Sequence, residues 1–198
     1  DQSGLALPRD HYLNKTIKED KILSAYLEYM TTLGVLMGGD RNETEDQMLQ
    51  VIEFEQALAN VTTPAEDRRD EELLYHKMTL QELQTSLPMI NLVSYLNSVM
   101  GKVDSKTRVN SSERVVIYAP QFMKDMSALV TDMLKTDEGK NTLNNYMMWH
   151  IVKVLSIYLS KPFVQASKDF SQVLTGVTGE EEQWRFCTSG TNSVLGYA

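Results

Sequence analysis

Three histidines, His11, His76 and His150, and one cysteine, Cys187, are the residues of this chain best suited to metal binding or nucleophilic attack. A zinc site needs several nitrogen, sulfur or oxygen ligands to converge, and two histidines three or four residues apart on a helix supply a pair from one face. No two of these histidines stand at that spacing, and no His-Glu-x-x-His occurs. They read as packed or surface histidines, and no metal ligand is assigned. Cys187 has no histidine or asparagine at a spacing used in thiol catalysis, and no Gly-x-Ser-x-Gly elbow is present. No glycine-rich loop follows a strand to cradle phosphate. Asp67, Asp70, Glu71 and Glu72 flank Arg68 and Arg69, but alternating signs on a helix describe a solvated, ion-paired face before they describe an acid–base pair. Glu180-Glu181-Glu182 suits the positive end of a helix. No catalytic residue is assigned.

The strongest local signal is covalent modification. Asn14-Lys15-Thr16, Asn42-Glu43-Thr44, Asn60-Val61-Thr62 and Asn110-Ser111-Ser112 all satisfy the Asn-x-Ser/Thr rule with no proline at the middle position. Each falls at an expected helix end or loop, where a glycan can stand in solvent. A chain that uses such sites faces the exterior or the secretory lumen.

The elements that carry these residues are expected to be helices almost throughout. Thr16 with Glu19, Thr44 with Gln47, and Thr79 with Glu82 have capping-box spacing, and Thr63-Pro64-Ala65-Glu66 adds a proline at the first helical position. Behind them run apolar stripes such as Ile22, Tyr26, Met30 and Leu33, then Val51, Ile52, Phe54 and Leu58. Further helices are expected at 91–100, from Pro120 to about Leu134, from Glu138 to Leu159, and up to Leu174. The long one at 138–159 is expected to bury Leu143, Met147, Ile151, Val154 and Ile157, with the paired Met147-Met148 in the core. One short strand is expected at 115–118, where Val115, Val116 and Ile117 are β-branched. The fold class is all-α.

Composition agrees with a packed domain and excludes some partners. The 198 residues are 42% hydrophobic and 23% charged, which places them with globular chains. The formal charge of −8 opposes a nucleic-acid surface, which needs a basic face to release counterions. Neither end has the cap or polar tail that closes a domain, so both are expected to be cuts in a longer chain. The first residues have no basic stretch leading into an apolar one, so no signal peptide is expected there.

Several segments together resemble the neprilysin/endothelin-converting-enzyme family of zinc metalloendopeptidases, most closely its endothelin-converting branch. They are DQSGLALPRDHYLNKT at 1–16, ALANVTTP at 57–64, RRDEELLYHKMT at 68–79, VVIYAP at 115–120, NNYMMWHIVK at 144–153 and QWRFC at 183–187. Order and spacing agree along essentially the whole chain. Segments 101–113 and 135–142 diverge most, and Leu7-Pro8-Arg9-Asp10 lacks the serine usual after the proline.

The resemblance implies a membrane-anchored type II ectoenzyme with a two-lobed helical ectodomain, on the outer side of the plasma membrane or in the secretory lumen. Residues 1–198 are then a fragment of its N-terminal region. The zinc-binding His-Glu-x-x-His, the third glutamate ligand and the Asn-Ala-aromatic-Tyr substrate motif are expected downstream, and the anchor upstream. By the same resemblance Cys187, in Trp184-Arg185-Phe186-Cys187, forms a disulfide with a partner outside this chain. Asn60 matches a family glycosylation site and Asn14 one of the endothelin-converting branch, while Asn42 and Asn110 fall in variable stretches. The parent then needs zinc and cleaves small peptides on the amino side of hydrophobic residues. This segment, inactive alone, is wall and scaffold, with the catalytic lobe of the same polypeptide as its partner. Two other readings stand beside this one: a non-catalytic secreted helical interaction module, and a cytosolic helical protein whose glycosylation motifs are accidental.

Overall fold

A computed structural model describes residues 2, 4–104, 106–177 and 182–196. It is mainly helical, in chain order α1 (Lys21–Leu36), α2 (Arg41–Val61), α3 (Glu71–Leu74), β1 (His76–Thr79), α4 (Leu80–Ser86), α5 (Leu92–Val103), β2 (Arg114–Ile117), α6 (Pro120–Met133), α7 (Asp137–Leu155), α8 (Lys161–Thr175) and α9 (Gln183–Leu195). Single 3-10 turns lie at Arg9–His11, Glu66–Arg68 and Ser156–Tyr158. Among the described residues no helix is long and apolar enough to cross a membrane.

α1 and α2 form an antiparallel pair at the centre, and their starts differ from expectation. The Asp20 carboxylate accepts from the Ile22 and Leu23 amides, and Asp40 from those of Asn42 and Glu43. An N-cap carboxylate satisfies two orphan donors and carries a charge that suits the helix dipole, so it defines the start ahead of the threonine patterns. Thr16 therefore sits in a turn before α1, and Thr44 lies inside α2. Thr44 packs so closely over Gly34 that a Cβ there would overlap its methyl group. Thr63-Pro64-Ala65-Glu66 opens no more than the 3-10 turn at Glu66–Arg68. The Thr79 box, by contrast, is complete: Thr79 Oγ1 accepts from the Glu82 amide while the Glu82 carboxylate accepts from the Thr79 amide.

The main core joins Leu7, Tyr12 and Ile17 of the N-terminal segment to the facing sides of α1 and α2, with Trp149 of α7 and Ala166 of α8 closing it. That segment is strapped to α2 by polar contacts. Arg9 Nε donates to the Ala59 and Thr62 carbonyls at 3.0 and 3.1 Å, placing a cation at the negative end of α2. Gln56 Nε2 donates to the Tyr12 and Lys15 carbonyls.

A second, smaller core collects Leu83, Leu87, Leu92 and Ile117, with Met78, Val115, Met123 and Met126 against it. The strand expected at 115–118 is β2, shifted by one residue. Its antiparallel partner β1, which pairs His76 with Ile117 and Thr79 with Arg114, was not expected from the sequence.

Candidate functional site

Glu55 lies on the buried face of α2, among Val51, Ile52, Leu58 and Ala59. It is 0% exposed, as is Tyr26, and Tyr12 is 1% exposed. The Tyr12 hydroxyl donates to Glu55 Oε2 at 3.0 Å and the Tyr26 hydroxyl to Oε1 at 3.3 Å. Behind each phenol stands another donor. The Leu7 amide donates to the Tyr12 oxygen at 3.2 Å, and Trp149 Nε1–H donates to the Tyr26 oxygen at 2.6 Å. Two donor chains thus end on one carboxyl group.

Burial and hydrogen bonding act against each other on that group. Burial penalises the anion and pushes the Glu55 pKa up to about 7, while the two tyrosine hydroxyls and the more distant Lys153 pull it down. Burial and the nearby carboxyl also push the Tyr12 and Tyr26 phenols well above their usual range, so they remain donors. Tyr146 is pushed up to about 12 for the same reasons. With no exposed atom for a substrate to reach, the cluster is a polar pin that joins the N-terminal segment, α1, α2 and α7. Sequence reading passed over Glu55. The available signal was an acid three and four residues from Ile52, Val51, Leu58 and Ala59, inside an apolar stripe.

The residues singled out for their chemistry stand apart. His11 is in the first 3-10 turn, and His76 is exposed on β1 with Nδ1 2.9 Å from the Leu74 carbonyl oxygen. His150 is half-buried on α7 beneath the Tyr146 ring, at 4.6 Å between centroids, and burial lowers its pKa. Zinc would need three or four ligands at about 2.0–2.3 Å. Among the described residues no group of three His, Cys, Asp or Glu side chains converges, so the donor set does not fit a zinc ion. Asp67, Arg68, Arg69 and Asp70 are exposed, as expected of a solvated face. Glu182 is the N-cap residue of α9, and Glu180 and Glu181 lie outside the described residues.

Asn14, Asn42, Asn60 and Asn110 are all exposed: in a turn with φ 54° for Asn14, in the first and last turns of α2 for Asn42 and Asn60, and in the loop before β2 for Asn110. Cys187 is exposed on α9.

α7 differs most from its expected role. Its packed side carries Thr142, Tyr146, Trp149 and, just beyond, Ser156. Trp149 meets the Tyr29 ring edge-on at 5.4 Å, and Tyr29 stacks on Phe170 of α8 at 5.1 Å. Polar side chains join the helix to α2, with Gln50 Nε2 donating to Glu138 and Asn145 Nδ2 to Gln47. Of the residues expected to be buried, Met147, Ile151 and Val154 are instead 60%, 52% and 59% exposed, and Met148 is 49% exposed. The expected stripe is real, but it is the outer of two apolar faces.

Helices gathered around an aromatic-lined carboxyl, with a second apolar face turned outward, define a helical lobe. All of residues 1–198 match the N-terminal profile of Peptidase family M13, and the chain belongs to that family. It is 45% identical to an endothelin-converting enzyme homolog of Locusta migratoria and 46% identical to Neprilysin-3 of Drosophila melanogaster, each over 100% of this chain. It spans 27% and 25% of those two proteins, about a quarter of their length. The fold matches that of the Mycobacterium tuberculosis zinc metalloprotease Zmp1 in its open state, with TM-score 0.80 and 20% identity over 98% of this chain and 29% of that one.

Proposed function

We propose that residues 1–198 are a structural, cavity-wall part of a zinc metalloendopeptidase, anchored in a membrane as a type II protein and facing the exterior or the secretory lumen. The observation that carries this reading is the 45–46% identity, across the whole chain, to an endothelin-converting enzyme homolog and Neprilysin-3. In this reading the parent cleaves small peptides on the amino side of hydrophobic residues. Zinc supplies the Lewis acidity that activates water, and its ligands lie in the part of the parent outside these residues. This segment's own work is to hold one wall of the cavity in shape. The Glu55–Tyr12–Tyr26–Trp149 network suits that role, because a satisfied buried polar network fixes one arrangement of its helices. Asn14, Asn42, Asn60 and Asn110 carry glycans, and Cys187 pairs with a cysteine elsewhere in the parent.

The test compares the membrane-anchored full-length parent with the 1–198 chain carried through the secretory pathway of the same cells. The expected result is stoichiometric zinc and peptide cleavage for the parent and neither for the segment. A full-length protein that neither holds zinc nor cleaves peptides overturns the reading, and so does a segment that does both. Peptide mapping after glycosidase treatment reads the four asparagines, and non-reducing mapping reads Cys187.

A further inference from the structure

α7 is apolar on two sides. Its inner side meets α1 and α2 through Trp149 and Tyr146, and the 3-10 turn that follows, with Ser156 buried, packs on α1 and α8. Its outer side presents Met147, Met148, Ile151, Val154 and Leu155, and Tyr158 extends it at 63% exposure. None of these six outer residues is charged, in a chain that is 23% charged overall. A contiguous exposed apolar face marks an interaction surface.

We propose that this outer face of α7 is the seat of the parent polypeptide that lies outside residues 1–198. The inference rests on the reading of the chain as part of a longer protein. Relatives that match it throughout keep about three-quarters of their length outside the matched stretch. A segment on the same chain is present at high effective concentration, which a second copy in dilute solution does not equal. A membrane is a poor occupant, because a chain of charge −8 has little to offer anionic lipid. α9 lies at one end of the face, where Phe186 meets the Tyr158 ring at 5.8 Å between centroids. None of its residues with described side chains is buried, and Trp184 and Val194 are 60% and 81% exposed. It therefore extends the same uncovered surface.

Methionine oxidation reads this face without any substitution. Native full-length protein is treated with dilute peroxide, and sulfoxide formation at Met147 and Met148 is followed by peptide mass mapping. The same protein in guanidinium gives the unprotected rate, and Met30, which is 1% exposed, reports that the fold is intact. Since oxidation follows exposure, a covered face slows Met147 and Met148 at least about tenfold relative to the unfolded chain. Rates within about twofold of the unfolded chain, with Met30 protected, overturn the proposal. Protection that disappears on dilution overturns it too, since a second copy is then the occupant. A peptidase assay on the same sample separates the two ideas: cleavage with an open face refutes only this proposal, and a covered face without cleavage refutes only the proposed activity.

Discussion

The Trp149 indole N–H donates to the Tyr26 hydroxyl oxygen at 2.6 Å, joining residues 123 positions apart on α7 and α1. Tyr26 passes the polarity on by donating to Glu55 at 3.3 Å. Replacing Trp149 by Phe removes the donor behind Tyr26 and leaves a void beside the Tyr26 and Tyr29 rings. The expected cost is about 2–4 kcal/mol, combining a lost buried hydrogen bond with a partial cavity. Amide exchange across α1 and α7 of the full-length protein is expected to accelerate, with β1 and β2 much less affected because they sit in the second core. Uniform acceleration in both cores would show that the contact is not local.

Glu55 gives the lobe a defined pH dependence. Its folded pKa of about 7 lies above the ordinary 4.5, so the folded state disfavours the anion. Below about pH 4.5 the group is protonated both folded and unfolded, and its contribution to stability is fully present. As pH rises from about 4.5 to 7 the unfolded chain loses its proton first, and about 3 kcal/mol of stability is lost. Glu55→Gln removes the titration. Protection factors in α1 and α2 should fall between pH 5 and 7.5 in the parent protein and lose that fall in the variant. An equal fall in both assigns the effect to other groups.

Much of the fold was legible because local chemistry and tertiary packing agree there. The Thr79 box, Pro120 at the start of α6, and left-handed Gly176 after α8 sit where their sequence signals place them. β1 was not legible, since His76-Lys77-Met78-Thr79 has little strand propensity and becomes a strand by pairing with β2, 35 or more residues away. α7 misled for a different reason. Both of its faces are apolar, so periodicity alone could not select the one that meets Trp149's partners. Family membership was legible from the scattered segments. Glu55 was not, because a buried acid looks like any other acid until Tyr12 and Tyr26 are brought to it from other parts of the chain.

The two threonine patterns separate under substitution. Thr79 caps α4 through the Glu82 amide at 3.2 Å, whereas Thr16 is an exposed turn residue whose backbone carbonyl accepts from Glu19 and Asp20. Thr79→Ala is expected to cost about 1 kcal/mol, read as faster exchange in α4. Thr16→Ala should change stability by no more than about 0.5 kcal/mol, while removing the glycosylation motif at Asn14. Equal costs for the two would contradict the assignment of Asp20 as the cap of α1.

Gly139 and Gly101 are expected to respond to alanine in opposite directions. Gly139 is buried in the first turn of α7, where the chain turns back from α6, and a Cβ there falls inside van der Waals contact of the Met133 carbonyl oxygen. Backbone cannot swing aside as a flexible side chain can, so α6 and α7 must separate or the turn must distort. Gly139→Ala is therefore expected to cost about 1–3 kcal/mol and to lower the amount of parent protein that reaches the cell surface. Gly101 lies exposed in α5 with nothing within 4 Å of its added Cβ. There alanine stiffens the unfolded chain and favours the helix, so Gly101→Ala should stabilise by about 0.5–1 kcal/mol. Amide exchange in α5 and α7 of the two variants measures both effects. If Gly139→Ala is neutral, the α6–α7 turn is looser than its packing indicates, and the outer face of α7 is then free to shift against whatever covers it.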